Sequence, residues 1–199
     1  MHILWFFALA YLLRDKTFLT DRIPGEWLKY PYVEQKILNK NLYEIFRAAR
    51  PKADKVFIET PEGRSIRYGD IDELTGKIAN ILVLDGVEPG DRVMVQVDKS
   101  PEAILLYLAC LRAGAVFLPL NSAYTEGELD YFLRDAEPRI LVCSPETADS
   151  LGAIAAAAGV QQVETLGADG KGSLTEKADT APGGFSCVPR SNDDLAAIL

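Results

Sequence analysis

The chain has 199 residues, 48% of them hydrophobic and 25% charged, with a net charge of −8. That is chain enough for one domain, or one and a half, with a real buried core. The acidic balance argues against a nucleic-acid partner, which needs a basic surface, but leaves room for an anionic small molecule held by local groups.

Residues 1–13, MHILWFFALAYLL, carry an uninterrupted apolar run from Ile3 to Leu13, followed by Arg14, Asp15 and Lys16. A membrane span needs about 20 apolar residues, and a secretory leader carries its basic residues before the apolar run, not after it. The run reads as an N-terminal extension foreign to the domain; a packed hydrophobic helix and a weak membrane anchor are the alternatives. Residues 17–40 read as linker, broken at Pro24-Gly25 and Pro31. The expected division is therefore an extension over 1–40 and a domain over 41–199.

The domain opens at Asn41, an N-cap with Glu44 at the capping-box position, and Leu42, Ile45, Phe46 and Ala49 form the apolar face of the helix it starts. Val56–Ile58 and Ser65–Tyr68 flank the turn residues Pro61-Glu62-Gly63 and predict a β-hairpin. Asp70 caps the next helix, with Ile71, Leu74, Ile78, Ile81 and Leu82 at helical spacing and Gly86 at its end.

From Pro89 to Cys143 the pattern is strand, helix, strand, helix, strand. Val93 to Val97 is a β-branched strand. Ser100-Pro101-Glu102 opens a helix with Ile104, Leu105, Leu108 and Leu111 on one face, closed by Gly114. Val116 to Leu120 is the second strand, and Thr125 with Glu128 caps the helix Glu126–Ala136, buried through Leu129, Phe132 and Leu133. Ile140 to Val142 is the third strand. A helix over Pro145–Ala158 and a weaker strand over Val160–Leu166 follow. Residues 167–190, rich in Gly, Pro, Ser, Thr and charge, read as a surface loop, and Leu195–Leu199 as a buried strand. The fold class is α/β: a mostly parallel sheet flanked by helices, preceded by a hairpin.

Few residues carry chemistry. The one histidine is His2, so neither a Ser-His-Asp device nor a His-based metal site is expected. Cys110, Cys143 and Cys187 are odd in number, fit no metal spacing, and read as buried reduced thiols of a cytoplasmic protein. No catalytic residue and no metal ligand is assigned. Open α/β sheets bind ligands at the carboxyl edge, which makes Lys99, Ser100, Asn121 and Tyr124 the candidate ligand-edge residues; a plain capped loop and a polar turn are the structural alternatives. Gly167–Gly172, GADGKG, has the composition of a phosphate loop but is expected to lack the helix that would hold a phosphate. The carboxylate pairs Asp70/Asp72 and Glu126/Glu128 sit at helix starts, where dipole compensation explains them.

Three segments together carry a resemblance: SIRYGDIDELTGKIANIL (65–82), the stretch from GVEPGDRV through LACLRAGAVFLPLNSAYTEGELDYFLRDAEPRILVC (86–143), and the final DDLAAIL (193–199). From Asn41 onward the chain resembles the adenylate-forming acyl-CoA synthetases, the AMP-dependent synthetase/ligase superfamily, and within it looks most like malonyl-CoA synthetases. The resemblance implies ATP, Mg2+ and coenzyme A as cofactors of the full-length enzymes, and a small carboxylic acid such as malonate as substrate. It implies that DDLAAIL is the strand that leads into the family's phosphate loop. It also implies that residues 1–199 lack that loop, the later nucleotide motifs and the C-terminal domain with its lysine, and are inactive alone. A non-catalytic α/β binding module is the alternative expectation.

Overall fold

The structure, a computed structural model, describes residues 39–199. The expected apolar segment 1–13 and the expected linker 17–40, apart from its last two residues, lie outside the described residues. The elements in order are α1 (Leu42–Ala49), β1 (Val56–Glu59), β2 (Ser65–Arg67), α2 (Ile71–Leu84), β3 (Arg92–Gln96), α3 (Pro101–Ala113), β4 (Val116–Pro119), α4 (Glu126–Ala136), β5 (Ile140–Cys143), a 3-10 turn (Pro145–Thr147), α5 (Ala148–Ala157), β6 (Gln162–Thr165) and α6 (Ser173–Thr180).

β1 and β2 pair antiparallel, with Glu59 opposite Ser65 and a bulge between Val56 and Ile58. The main sheet has the order β4-β3-β5-β6 and is parallel throughout, with Arg92 opposite Val116, Val93 opposite Ile140 and Ile140 opposite Gln162. The chain moves outward from β3 to β4, then crosses back to β5 on the other side of β3. Right-handed crossovers therefore place α3 on one face and α4 and α5 on the other. Side chains alternate to match. Val93, Val95, Ile140 and Val142 pack with α2, α3 and α6, while Met94, Leu141 and Cys143 pack with α4 and α5. The strands are apolar without interruption because both faces are covered.

The predicted hairpin and the main helices and strands are present, and α4 has the predicted bounds. Several local expectations are corrected. In α1 the buried side chain is Tyr43, fully buried, whereas Ile45 and Ala49 are exposed. Tyr43 is drawn inward because its hydroxyl donates to Asp72 (2.5 Å) beside Thr75 (3.2 Å) on α2. Asn41 caps α1 through Tyr43 N–H (2.8 Å), but Glu44 pairs with Arg47 (2.6 Å). Asp70 stands at the N-cap of α2 without a side-chain bond to that helix; it accepts from the N–H of Arg67 (2.9 Å) and closes the turn from the hairpin.

In α3, Ile104 is exposed, and Leu106, Ala109 and Cys110 are fully buried. α3 lies between α1, α2 and the sheet, so it buries most of its circumference and no single apolar stripe describes it. Residues 173–180, expected as loop, form α6, seated by the buried Leu174 and Ala178 against α2. Its apolar residues are too few for a periodic signal. Leu195–Leu199 is not a buried strand. Ala197 makes a single parallel bridge to Phe117, and Leu195, Ile198 and Leu199 are exposed.

Candidate functional site

All four strands of the main sheet end at one edge, and the loops after β3, β4, β5 and β6 collect there. The strand order reverses at β3, with β4 on one side and β5 on the other. That switch point is where open α/β sheets leave a crevice.

Lys99 is exposed on the β3–α3 loop. Ser100 is buried, and its Oγ accepts from Ala103 N–H (3.1 Å), capping α3. Asn121 turns its Oδ1 back to Ala123 N–H (3.0 Å). Tyr124 is 39% exposed and lies against Phe132, with 5.2 Å between ring centres. Thr125 and Glu128 complete a reciprocal capping box on α4, and the hydrogen bonds from Thr125 hold the Glu128 carboxyl below its ordinary range.

The structure joins Asn121 and Tyr124 through a residue absent from the sequence-derived set. Gln96, buried at the end of β3, donates from Nε2 to the carbonyls of Asn121 (3.0 Å) and Tyr124 (3.3 Å). A glutamine closing an otherwise apolar strand was the available signal, since a buried amide needs partners. Lys99 and Ser100 stand on the neighbouring loop, where Ser100 is committed to the cap of α3 and Lys99 faces solvent.

The Gly167–Gly172 loop differs from expectation, because α6 starts directly after it. The loop closes on itself: Gly167 N–H donates to Lys171 O (2.7 Å) and Lys171 N–H to Asp169 Oδ1 (3.0 Å), which lowers the Asp169 pKa. It borders an open depression of about 610 Å³ that also takes in Glu146 and Glu176. Gly170 has φ +81°, and a Cβ there would stand 2.5 Å from the Glu102 carboxyl. Glu102 is buried, paired through one oxygen with Arg64 of the hairpin turn, and its Oε2 has no hydrogen-bond partner among the described residues. Asp169, Glu146 and Glu176 outweigh the single cation Lys171 around this depression, the wrong balance of charge for a phosphate, so the helix start at Ser173 is not a phosphate site.

Two further polar groups are structural. Glu164 on β6, almost fully buried, accepts from Lys177 (2.5 Å) and from Ser173, and Lys177 also reaches Asp85 (3.2 Å). Arg112, buried on α3, donates to Asp72 O (2.5 Å) and Thr75 Oγ1 (2.8 Å). The thiols are free. Cys110 and Cys143 are buried and Cys187 is half-buried. Burial pushes all three upward, Cys143 to about 11 and Cys187 to about 12, so none is a ready thiolate near neutral pH. Among the described residues no group of three His, Cys, Asp or Glu side chains converges to hold a metal ion, and no helix is long and apolar enough to cross a membrane.

Known proteins share this architecture. MatB from Rhodopseudomonas palustris superposes with a TM-score of 0.78 at 50% identity, over 81% of this chain and 32% of that one. The same values hold for its ATP-bound form. A fatty acyl-CoA synthetase from Mycobacterium tuberculosis shares the fold (TM-score 0.66, 24% identity, 82% of this chain and 32% of that one). Among curated sequences, a feruloyl-CoA synthase from an Amycolatopsis species is 37% identical over 94 residues, 47% of this chain and 19% of its own. A medium-chain fatty-acid–CoA ligase from Escherichia coli is 33% identical over 94 residues, 47% of this chain and 17% of its own. The chain thus spans a third or less of the relatives named here. Residues 45–199 match the model of the AMP-binding enzymes, and the chain belongs to that family.

Proposed function

We propose that residues 41–199 are the N-terminal part of an AMP-forming acid–CoA ligase specific for malonate, and that residues 1–40 are an extension to it. The observation that carries this reading is the 50% identity to MatB across 81% of the chain. In such a ligase a carboxylate oxygen of the acid attacks the α-phosphorus of ATP and pyrophosphate leaves. The thiol of coenzyme A then attacks the acyl carbonyl and AMP leaves. Malonate is the small-molecule partner, and the compartment is the cytoplasm.

The described residues build the scaffold of that site. Gln96 holds the Asn121–Tyr124 turn at the carboxyl edge, and the capped starts of α3 and α4 fix the loops on either side. Phosphoryl transfer needs donors and a cation around the developing charge. The described residues do not fit a triphosphate with Mg2+. Lys99 stands alone as a cation on its loop, and the Gly167–Gly172 loop faces Glu102, Glu146 and Glu176. Residues 1–199 are therefore expected to be inactive alone.

Pyrophosphate exchange tests this in two arms. The chain by itself, given ATP and malonate, shows no exchange above a blank; robust exchange would overturn the scaffold reading. Grafted over the matched third of R. palustris MatB, residues 41–199 restore malonate-dependent exchange. A soluble graft with no exchange counts against the ligase assignment, and exchange with another acid in preference to malonate counts against the substrate.

A further inference from the structure

We propose that Arg112 is a positioning residue for the ligand edge of this sheet. It ties a strap, residues 181–191, to α2 and α3, and so sets the register in which residues 196–198 reach the carboxyl edge beside β4. The edge role rests on the ligase reading above; the strap role does not.

Residues 195–199 fix their own register only weakly. It holds β4 by two hydrogen bonds, Phe117 N–H to Ala196 O and Ile198 N–H to Phe117 O, both 3.0 Å. Register is pinned where one face of a strand is buried, and here only the methyl groups of Ala196 and Ala197 pack, half-buried, against the core, while Leu195 and Ile198 are exposed. Two methyl groups resist a one-residue slip little, so the position of Ala197 opposite Phe117 depends on how the residues before it are held.

Those residues form no helix or strand and are held from outside. Asn80 on α2 donates to the carbonyls of Pro182 (2.8 Å) and Gly184 (3.0 Å). At Gly76 of α2 a Cβ would lie 1.9 Å from Gly183 O, so the glycine admits the strap against the helix backbone. Asn41 donates to Val188 O (2.8 Å), and Lys40 N–H to Arg190 O (2.8 Å).

Arg112 is the one buried cation among these holds. Its Nη2 donates to Phe185 O (2.5 Å), and its own carbonyl accepts from Val188 N–H (2.8 Å), so it grips the strap at two points. The guanidinium lies 4.9 Å from the Tyr43 ring centre and 5.7 Å from that of Phe185. A buried guanidinium is costly unless it is hydrogen-bonded, and this one spends its bonds on joining α2 to the strap. Its planar fork spans both, whereas a lysine ammonium is a single point.

Amide exchange followed by NMR on the full chain tests this. In Arg112→Met the amides of Phe117 and Ile198 exchange about tenfold faster, the scale of one lost hydrogen bond, while the β3 and β5 amides keep wild-type rates. Arg112→Lys falls between. Wild-type rates at those two amides in folded Arg112→Met, or equal acceleration everywhere, overturn the strap role. Should Arg112→Met fail to fold, Asn80→Ala removes two strap contacts from a half-buried side chain that carries no charge. It must then accelerate the same two amides selectively, and unchanged rates overturn the proposal.

The same substitutions in the MatB graft test the edge role. KM for ATP rises several-fold in Arg112→Lys, and an unchanged KM overturns that role. A parent graft without exchange defeats the ligase reading and leaves the amide result standing.

Discussion

The two faces of the parallel sheet are built differently. The α2–α3–α6 face carries the larger apolar cluster, including Leu82, Leu106, Ile140 and Leu174. It also carries buried charge: Arg112 among α2, α3 and the strap, Glu102 under the hairpin turn, and Glu164 under Lys177. The α4–α5 face packs Leu129, Leu133, Leu151 and Ala155 against Met94, Leu141 and Cys143. The buried polar side chain beneath it is Gln96. Apolar packing is non-directional and fills space, whereas a buried charge must find partners in set directions. One face therefore supplies packing, and the other also joins loops and a strap that have no regular hydrogen bonding of their own.

Core truncation should show the largest effect. Leu106→Ala, in the middle of the charged face, is expected to destabilise the chain by about 2–5 kcal/mol. Leu151→Ala, on the outer helix α5, should fall at the lower end of the same range, because a helix at the sheet margin can collapse onto the gap. Urea unfolding of the two variants measures the difference, and equal costs would remove the asymmetry between the faces.

Helix caps come next. Ser100→Ala on α3 and Thr125→Ala on α4 should each cost about 1 kcal/mol. Ser100 is buried, so its loss strands the Ala103 N–H away from water, while Thr125 is exposed and water can replace it. The Ser100 variant is expected to be the less stable of the two by chemical denaturation.

The smallest effect is a pH slope confined to the charged face. Burial would raise the pKa of Asp72, but hydrogen bonds from Arg50 and Tyr43 and the charges of Arg50 and Arg112 outweigh it and hold the carboxyl below its ordinary range. Glu164 is lowered likewise, against burial, by Lys177, Ser173 and Gln162. Both bind protons more weakly folded than unfolded. Their contribution is present above the ordinary carboxylate range and is lost as pH falls through the lowered values. Asp85 runs the other way. Burial and the Glu164 charge raise it, so it takes back part of the gain as pH rises through the ordinary carboxylate range toward its raised value. The net expectation is acid loosening of α2 and α6 before α5, read by amide exchange at falling pH. Glu164→Gln should flatten the slope, and a variant with the wild-type slope would show that Glu164 does not carry it.

The elements legible in the sequence are those whose neighbours lie close in the chain. Thr125 and Glu128 announce α4 because a capping box is complete within four residues, and the apolar runs of β3, β4 and β5 announce strands covered on both faces. The misread positions depend on distant partners. Tyr43 is buried because Asp72 and Thr75 await its hydroxyl, and Ile104 is exposed although its own helix is buried nearly all round. α6 is a helix because Leu174 and Ala178 find α2. Among the candidate edge residues, Ser100 was legible as a cap. The junction of Asn121 with Tyr124 was not, since it runs through Gln96, 25 residues from Asn121.

By itself, then, the amino-acid sequence determined the alternation of strands and helices, the covered parallel sheet and the family resemblance, because periodicity, caps and turns act over a few residues. Only the tertiary structure decided where the buried charges go. Arg112 reaches Phe185 across 73 residues, and Lys177 reaches Asp85 across 92. No local pattern encodes such pairs. They exist because a charge taken out of water must be met by whatever polar group the fold brings alongside it.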